Sequence, residues 1–168
     1  MLQVNTITGN IYDDAEVGKK FALSKEVGNY DVLELSRLDM AKSRMRKTTS
    51  KGIDVGIVLD SGTCLRHGDL LDAKIPILVS QIKERVLMVT PKSNLDSKIL
   101  FETLVLVGHI IGNRHKPISI TDDMVCFPIN NDVEEETFRQ LLGRIGEINL
   151  ESGEMIFVPH GSMNVHEH

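Results

Sequence analysis

The residues in this chain best suited to chemistry are its six histidines, His67, His109, His115, His160, His166 and His168. An isolated imidazole is usually an ordinary surface or core group. Five of the six, however, fall in the second half of the chain, which makes that half the place to look for a metal site. An imidazole-rich, thiol-poor set suits Ni(II), Cu(II) or Zn(II) bound through nitrogen and tells against soft-metal chemistry. Cys64 and Cys126 stand far apart with no Cys-x-x-Cys, so both are expected to be buried, reduced thiols. Two catalytic alternatives can be weighed. In "LRHGD", His67 and Asp69 could form a His-carboxylate pair, but a turn through Gly68 capped by Asp69 accounts for them better. A zinc metallohydrolase could be built from His109, His115 and a carboxylate such as Asp122 or Asp123, yet no His-Glu-x-x-His or similar close pair is present.

What positions these histidines is the stretch "GHIIGNRHKP", Gly108 to Pro117. Upstream, "SNLD" offers Ser93 as an N-cap with Asp96 three residues on, and a helix follows. Leu95, Ile99, Leu100, Leu104, Leu106, Val107, Ile110 and Ile111 cover a wide apolar face. Lys98, Glu102, Val105 and His109 step along the opposite side, so His109 faces solvent or a partner. Gly112 suits the left-handed, helix-ending conformation and Asn113 tolerates it. Arg114 can reach the last carbonyls, and Pro117 forbids the helix to resume. The expected result is a rigid projecting loop carrying His115. One imidazole cannot saturate a metal there, but two from symmetric subunits could begin to.

The organisation of the chain follows from its periodicities. Residues 1–80 alternate in short runs between glycine-rich turns and predict a mostly β domain. Within it "SRLDMAKSRMRKTTSKG" reads as a short helix or loop leading to an exposed basic strand. Residues 81–158 give strand, helix, two strands, helix capped by Asn131 or Asp132 and ended by Gly146, then "EINL" and "MIFV" as closing strands around Ser152-Gly153. That βαββαβ order predicts a ferredoxin-like α+β domain. Residues 159–168 have too little apolar content to pack and are expected to form a mobile, histidine-containing tail. The formal charge is −5 but unevenly spread: residues 37 to 51 carry Arg37, Lys42, Arg44, Arg46, Lys47 and Lys51 against Asp39, whereas residues 132 to 154 are strongly acidic. The basic stretch is a candidate partner-binding surface, led by Arg37, Arg44, Arg46 and Lys47. Nucleic acid is disfavoured, because the second domain's strands lack stacking aromatics. No apolar run reaches the roughly 18 residues of a membrane span, and a cytoplasmic protein is expected.

With those residues in view, "GNRH" after an apolar helix resembles the Gly-Asn-Arg-His signature of the UreE family, nickel metallochaperones of urease maturation. "RLDMAKSRMRKTTSKGIDVGIVLDSGTCLRHGDLL" is similar to that family's N-terminal domain, and "ERVLMV" to the strand opening its second domain. The resemblance implies a peptide-binding-type N-terminal domain and a metal-binding domain that pairs head to head in a homodimer. It also implies a non-enzymatic protein that carries Ni(II), with Zn(II) or Cu(II) able to occupy the same site. Its implied partners are the urease apoprotein and accessory proteins including the UreG GTPase. His115 falls on the family's interfacial nickel ligand. Some members have a second histidine two residues before the glycine; Ile110 stands there, and His109 lies one further back, so His109 carries over only as a candidate. His160, His166 and His168 are fewer than the long His-rich tails of the family, which fits delivery of one or two ions rather than storage.

Overall fold

The computed structural model describes residues 1–161; two of the expected ligands, His166 and His168, lie outside them. It is a small mixed α/β protein with several sheets, divided into two compact units, residues 1–82 and residues 83 onward. No helix among the described residues is long and apolar enough to cross a membrane.

The first unit holds β1 (Leu2–Val4), β2 (Ile7–Asn10), α1 (Ala15–Glu26), β3 (Asp31–Leu35), α2 (Arg37–Met40), β4 (Arg44–Thr48), β5 (Asp54–Val58), β6 (Asp69–Leu71) and β7 (Ile77–Gln81). They form two sheets, ordered β1-β5-β4 and β2-β6-β7-β3. Alternation puts Leu33, Leu35, Val55, Ile57, Ile77 and Val79 into one core shared by both sheets. The helix α1 is an element the alternation does not predict in this strand-rich unit. Asp14 caps it by accepting from the amides of Glu16 and Val17, and Val17 and Phe21, one turn apart, pack on Leu70. Close approach explains Gly9: a Cβ there would lie 2.8 Å from a Val17 methyl.

The second unit runs β8 (Glu84–Pro91), α3 (Ser97–Gly112), β9 (Ser119–Thr121), β10 (Met124–Pro128), α4 (Asp132–Leu142) and β11 (Ile148–Met155). Its strands lie in the order β11-β8-β10-β9, every neighbour antiparallel. Leu87, Val89, Phe127, Ile129 and Ile148 from the sheet meet Val107 and Ile111 of α3 and Phe138 and Leu142 of α4. The rings of Phe127 and Phe138 lie 4.6 Å apart at its centre.

Several local expectations need correction. The N-cap of α3 is Asp96, which accepts from the amides of Lys98 and Ile99; Ser93 comes too early, because Asn94 still turns the chain at φ +65°. The C-cap of α4 is Gly143, not Gly146, although Ile145 still packs on the core. A single strand, β11, runs straight through Ser152-Gly153, where a break between two strands was expected. Cys126 is buried, but Cys64 is exposed.

Candidate functional site

The end of α3 decides where the histidines stand. The helix continues through Gly112, and Asn113 at its C-cap is still right-handed, at φ −61° and ψ −15°. The last turn tightens: Arg114 N donates to Ile111 O at 3.1 Å and His115 N to Gly112 O at 2.9 Å. The left-handed residue is His115 itself, at φ +53°, not Gly112 or Asn113 as their types suggest. Histidine enters this region more readily than most residues, but the conformation still costs on the order of 1 kcal/mol against glycine. Strain held by a non-glycine residue, soon after a glycine that could have absorbed it, is the kind that accumulates at functional sites.

His115 is exposed, and its ring has no hydrogen-bonding partner among the described residues. His109 is also exposed, on the last turn of α3, and its Nε2 lies 2.9 Å from Asn113 Nδ2. That bond occupies Nε2, so a metal held by His109 would use Nδ1 or displace the amide. His160 is exposed too, and its backbone amide donates to Ile118 O at 2.7 Å, which ties residue 160 to the segment just after His115. Among the described residues no three His, Cys, Asp or Glu side chains converge on one point. Asp122 and Asp123, the carboxylates of the hydrolase alternative, are exposed in the β9–β10 turn, and Asp122 takes a left-handed turn conformation at φ +52°.

Beside these histidines α3 leaves much of its apolar surface uncovered. Thr103, Val107 and Ile111 are buried. Phe101 is 69% exposed, Val105 54% and Leu106 52%, with Ile99 and Leu104 also in solvent. Gly108 and Gly112 lie along the Phe101–Val105 side, and a Cβ on either would meet open space. Sequence reasoning misses Phe101 and Val105 as parts of this surface, and takes Gly112 as a helix-ending residue and not as an open position on the helix face. The signal was a helix whose sequence is apolar nearly all round although it lies on the surface of a small domain.

In the first unit the basic residues are largely spoken for. Arg46 makes a bidentate pair with Asp54 at 2.8 Å, which raises the guanidinium's pKa and lowers the carboxyl's. Lys42 and Lys47 both bond Asp39 at 2.7 Å, and those bonds hold its carboxyl far below the usual carboxylate range. Arg44 is exposed on β4, the edge strand of its sheet, and Arg37 opens α2. The "LRHGD" turn is structural: Asp69 accepts from Arg66 N at 2.7 Å and Asn10 Nδ2 at 2.9 Å, and His67 Nδ1 from Gln81 N at 3.1 Å.

Residues 4–76 match the family model described as "UreE urease accessory protein, N-terminal domain". Over 135 residues, 77% of its length, the chain is 33% identical to the urease accessory protein UreE of Yersinia enterocolitica. It is 31% identical over 136 residues to that of Yersinia aldovae, and 33% over 122 residues to that of Yersinia pestis. The matched region spans 57% of the length of the first two relatives and 51% of the third. These relatives are named urease accessory proteins. Residues 4–76 thus match a UreE-type N-terminal domain, in a chain that over 135 residues is similar to the urease accessory proteins UreE.

Proposed function

We propose that this chain is a non-enzymatic, cytoplasmic carrier that binds Ni(II) at a homodimer interface and passes it on for assembly of the urease nickel centre. The observation that carries the reading is His115: a ligand-type side chain held exposed in a strained left-handed turn, with no ring partner among the described residues, at the end of a helix with an uncovered apolar face. Phe101, Val105, Gly108 and Gly112 are suited to a second copy of the same helix, because side chains on one can approach the bare glycines of the other. Pairing there would bring two His115 residues into one site with an incomplete nitrogen donor set. Such a site gives up its metal readily. The antiparallel order β11-β8-β10-β9, with α3 and α4 as crossovers, supports a ferredoxin-like reading of residues 81–158. His109 and His160, and His166 and His168 beyond the described residues, are the proposed supplementary ligands. Zn(II) or Cu(II) would compete for the same nitrogens. Arg37, Arg44, Arg46 and Lys47 are the proposed docking surface for the urease apoprotein and accessory proteins including the UreG GTPase. Asp54 engages Arg46 and Asp39 engages Lys47, whereas Arg44 stands exposed on its edge strand, ready to meet an acidic partner.

The zinc hydrolase alternative is not favoured, because its carboxylates and histidines do not converge. Calorimetric titration with Ni(II) of the native chain, His115→Ala and a form ending before His160 tests the carrier reading. The expected result is roughly one tight site per dimer, lost in His115→Ala and weakened by truncation. Undiminished tight binding by His115→Ala would overturn it.

A further inference from the structure

A cleft of about 390 Å³ opens beside the metal-presenting turn, lined by Arg114, Asn131, Val133, Glu134, Thr137 and Phe138. Its charges are unequal in availability. Glu134 is already committed: its carboxylate pairs with Lys116 Nζ at 2.6 Å and accepts from Asn130 N at 2.7 Å. Burial pushes its pKa up, but these two bonds outweigh it and keep the acid ionised. Asn131 Oδ1 is spent on Glu134 N, so that amide of the first turn of α4 is capped from within. Asp132, the first residue of α4, pairs with Arg85. Arg114 is exposed, and its guanidinium bonds neither the α3 carbonyls nor any acid among the described residues. It is the uncompensated charge of a cleft that otherwise offers the exposed methyl groups of Val133, over a floor closed by the buried Phe138, and Thr137, whose hydroxyl donates to Val133 O at 2.8 Å and is left as an acceptor.

We infer that this cleft docks a carboxylate-bearing, partly apolar segment of the protein that receives the metal, with Arg114 as its anchor. The inference rests on the carrier reading for its purpose but not for its binding chemistry. Arg114 and His115 are consecutive, so the cleft lies within reach of residues neighbouring any ligand that a recipient offers at His115. A planar guanidinium with five donors holds a carboxylate in two parallel bonds, which fixes direction as well as adding attraction. The Glu134–Lys116 pair gives the cleft an ordered wall, and an anchor that changes no ligand of the metal leaves metal affinity alone.

The test uses the full chain, isotopically labelled, titrated with the peptide acetyl-Glu-Leu-Glu-amide and with its Gln-Leu-Gln counterpart, neither with metal. The expected result is chemical-shift change at Val133, Thr137 and Arg114 with the acidic peptide. The affinity should be at least about fivefold weaker for the Gln peptide and for Arg114→Ala, and intermediate for Arg114→Lys. His115→Ala should bind the acidic peptide normally while losing nickel, which separates failure of this inference from failure of the carrier reading. Equal binding of both peptides, or no effect of Arg114→Ala in a protein with an unchanged spectrum elsewhere, overturns the inference. So does acidic-peptide binding that appears only when residues 162–168 are removed, because the occupant is then the chain's own terminus.

Discussion

At the scale of the residue, His115 sets stability against its proposed role as a ligand in a way that substitution can read. Its left-handed φ suits glycine and penalises any residue with a Cβ. His115→Gly is therefore expected to leave the metal-free protein as stable as the native chain or slightly more so. His115→Ala should be less stable than the glycine variant by about 1 kcal/mol, glycine's greater freedom in the unfolded chain offsetting part of its advantage. Both should lose nickel. Urea denaturation of the three proteins without metal measures the difference, and an alanine variant at least as stable as the glycine one would show that the turn is unstrained. The sequence "GNRH" marks His115 as the candidate ligand but does not reveal its conformation. Gly112 is the residue that sequence rules choose for the left-handed position, yet the structure keeps it helical and places the strain on the imidazole.

At the scale of the element, α3 and α4 solve different problems. A buried acid ties α4 to the sheet: Glu135 takes hydrogen bonds from Ser152 on β11, Arg139 on its own helix and Arg85 on β8. Those bonds hold its pKa near 2, against an ordinary 4.5. A carboxyl depressed on folding contributes stability that is complete above its unfolded pKa and is lost as pH falls toward the folded one. Thermal stability of this unit should therefore fall between about pH 4.5 and 2, and Glu135→Gln should flatten that fall while lowering stability at pH 7 by about 2–3 kcal/mol. Melting curves across the pH range would show it; an unchanged acid limb in the variant would mean that other carboxylates carry it. Along α3 the corresponding prediction concerns association. Val105→Arg places a charge on the uncovered face without disturbing Val107 or Ile111 in the core, so it should leave the fold intact and shift sedimentation toward monomer. Periodicity made α4 legible because Phe138, Leu141, Leu142 and Ile145 repeat on one face. It hid α1, where only Val17 and Phe21 are buried while Leu23 and Val27 face solvent. Ser152-Gly153 read as a turn for a reason that lies in tertiary contacts: Ser152 serves Glu135, and a Cβ at Gly153 would stand 3.0 Å from the Met88 side chain.

At the scale of the whole molecule, each unit has its own core, the first around Leu33, Ile57 and Ile77, the second around Leu87, Phe127 and Phe138. The ion pairs described above likewise close within a unit, Asp39 and Asp54 in the first and Glu134 and Glu135 in the second. Fragments 1–82 and 83–161 should therefore each fold alone, with the dispersed amide spectrum of a packed domain. A core of this size supplies only about 3–5 kcal/mol, so both should melt easily. The two are expected to differ in what they retain. Fragment 83–161 keeps His109, His115, His160 and the uncovered face of α3, so on the proposed carrier reading it should dimerise and bind nickel, less tightly for want of His166 and His168. Fragment 1–82 should stay monomeric and bind no nickel tightly, since His67 is engaged by Gln81 and Tyr12. Nickel bound tightly by fragment 1–82, or a fragment 83–161 that folds but fails to dimerise, would contradict the placement of the site on α3 and the turn that ends it.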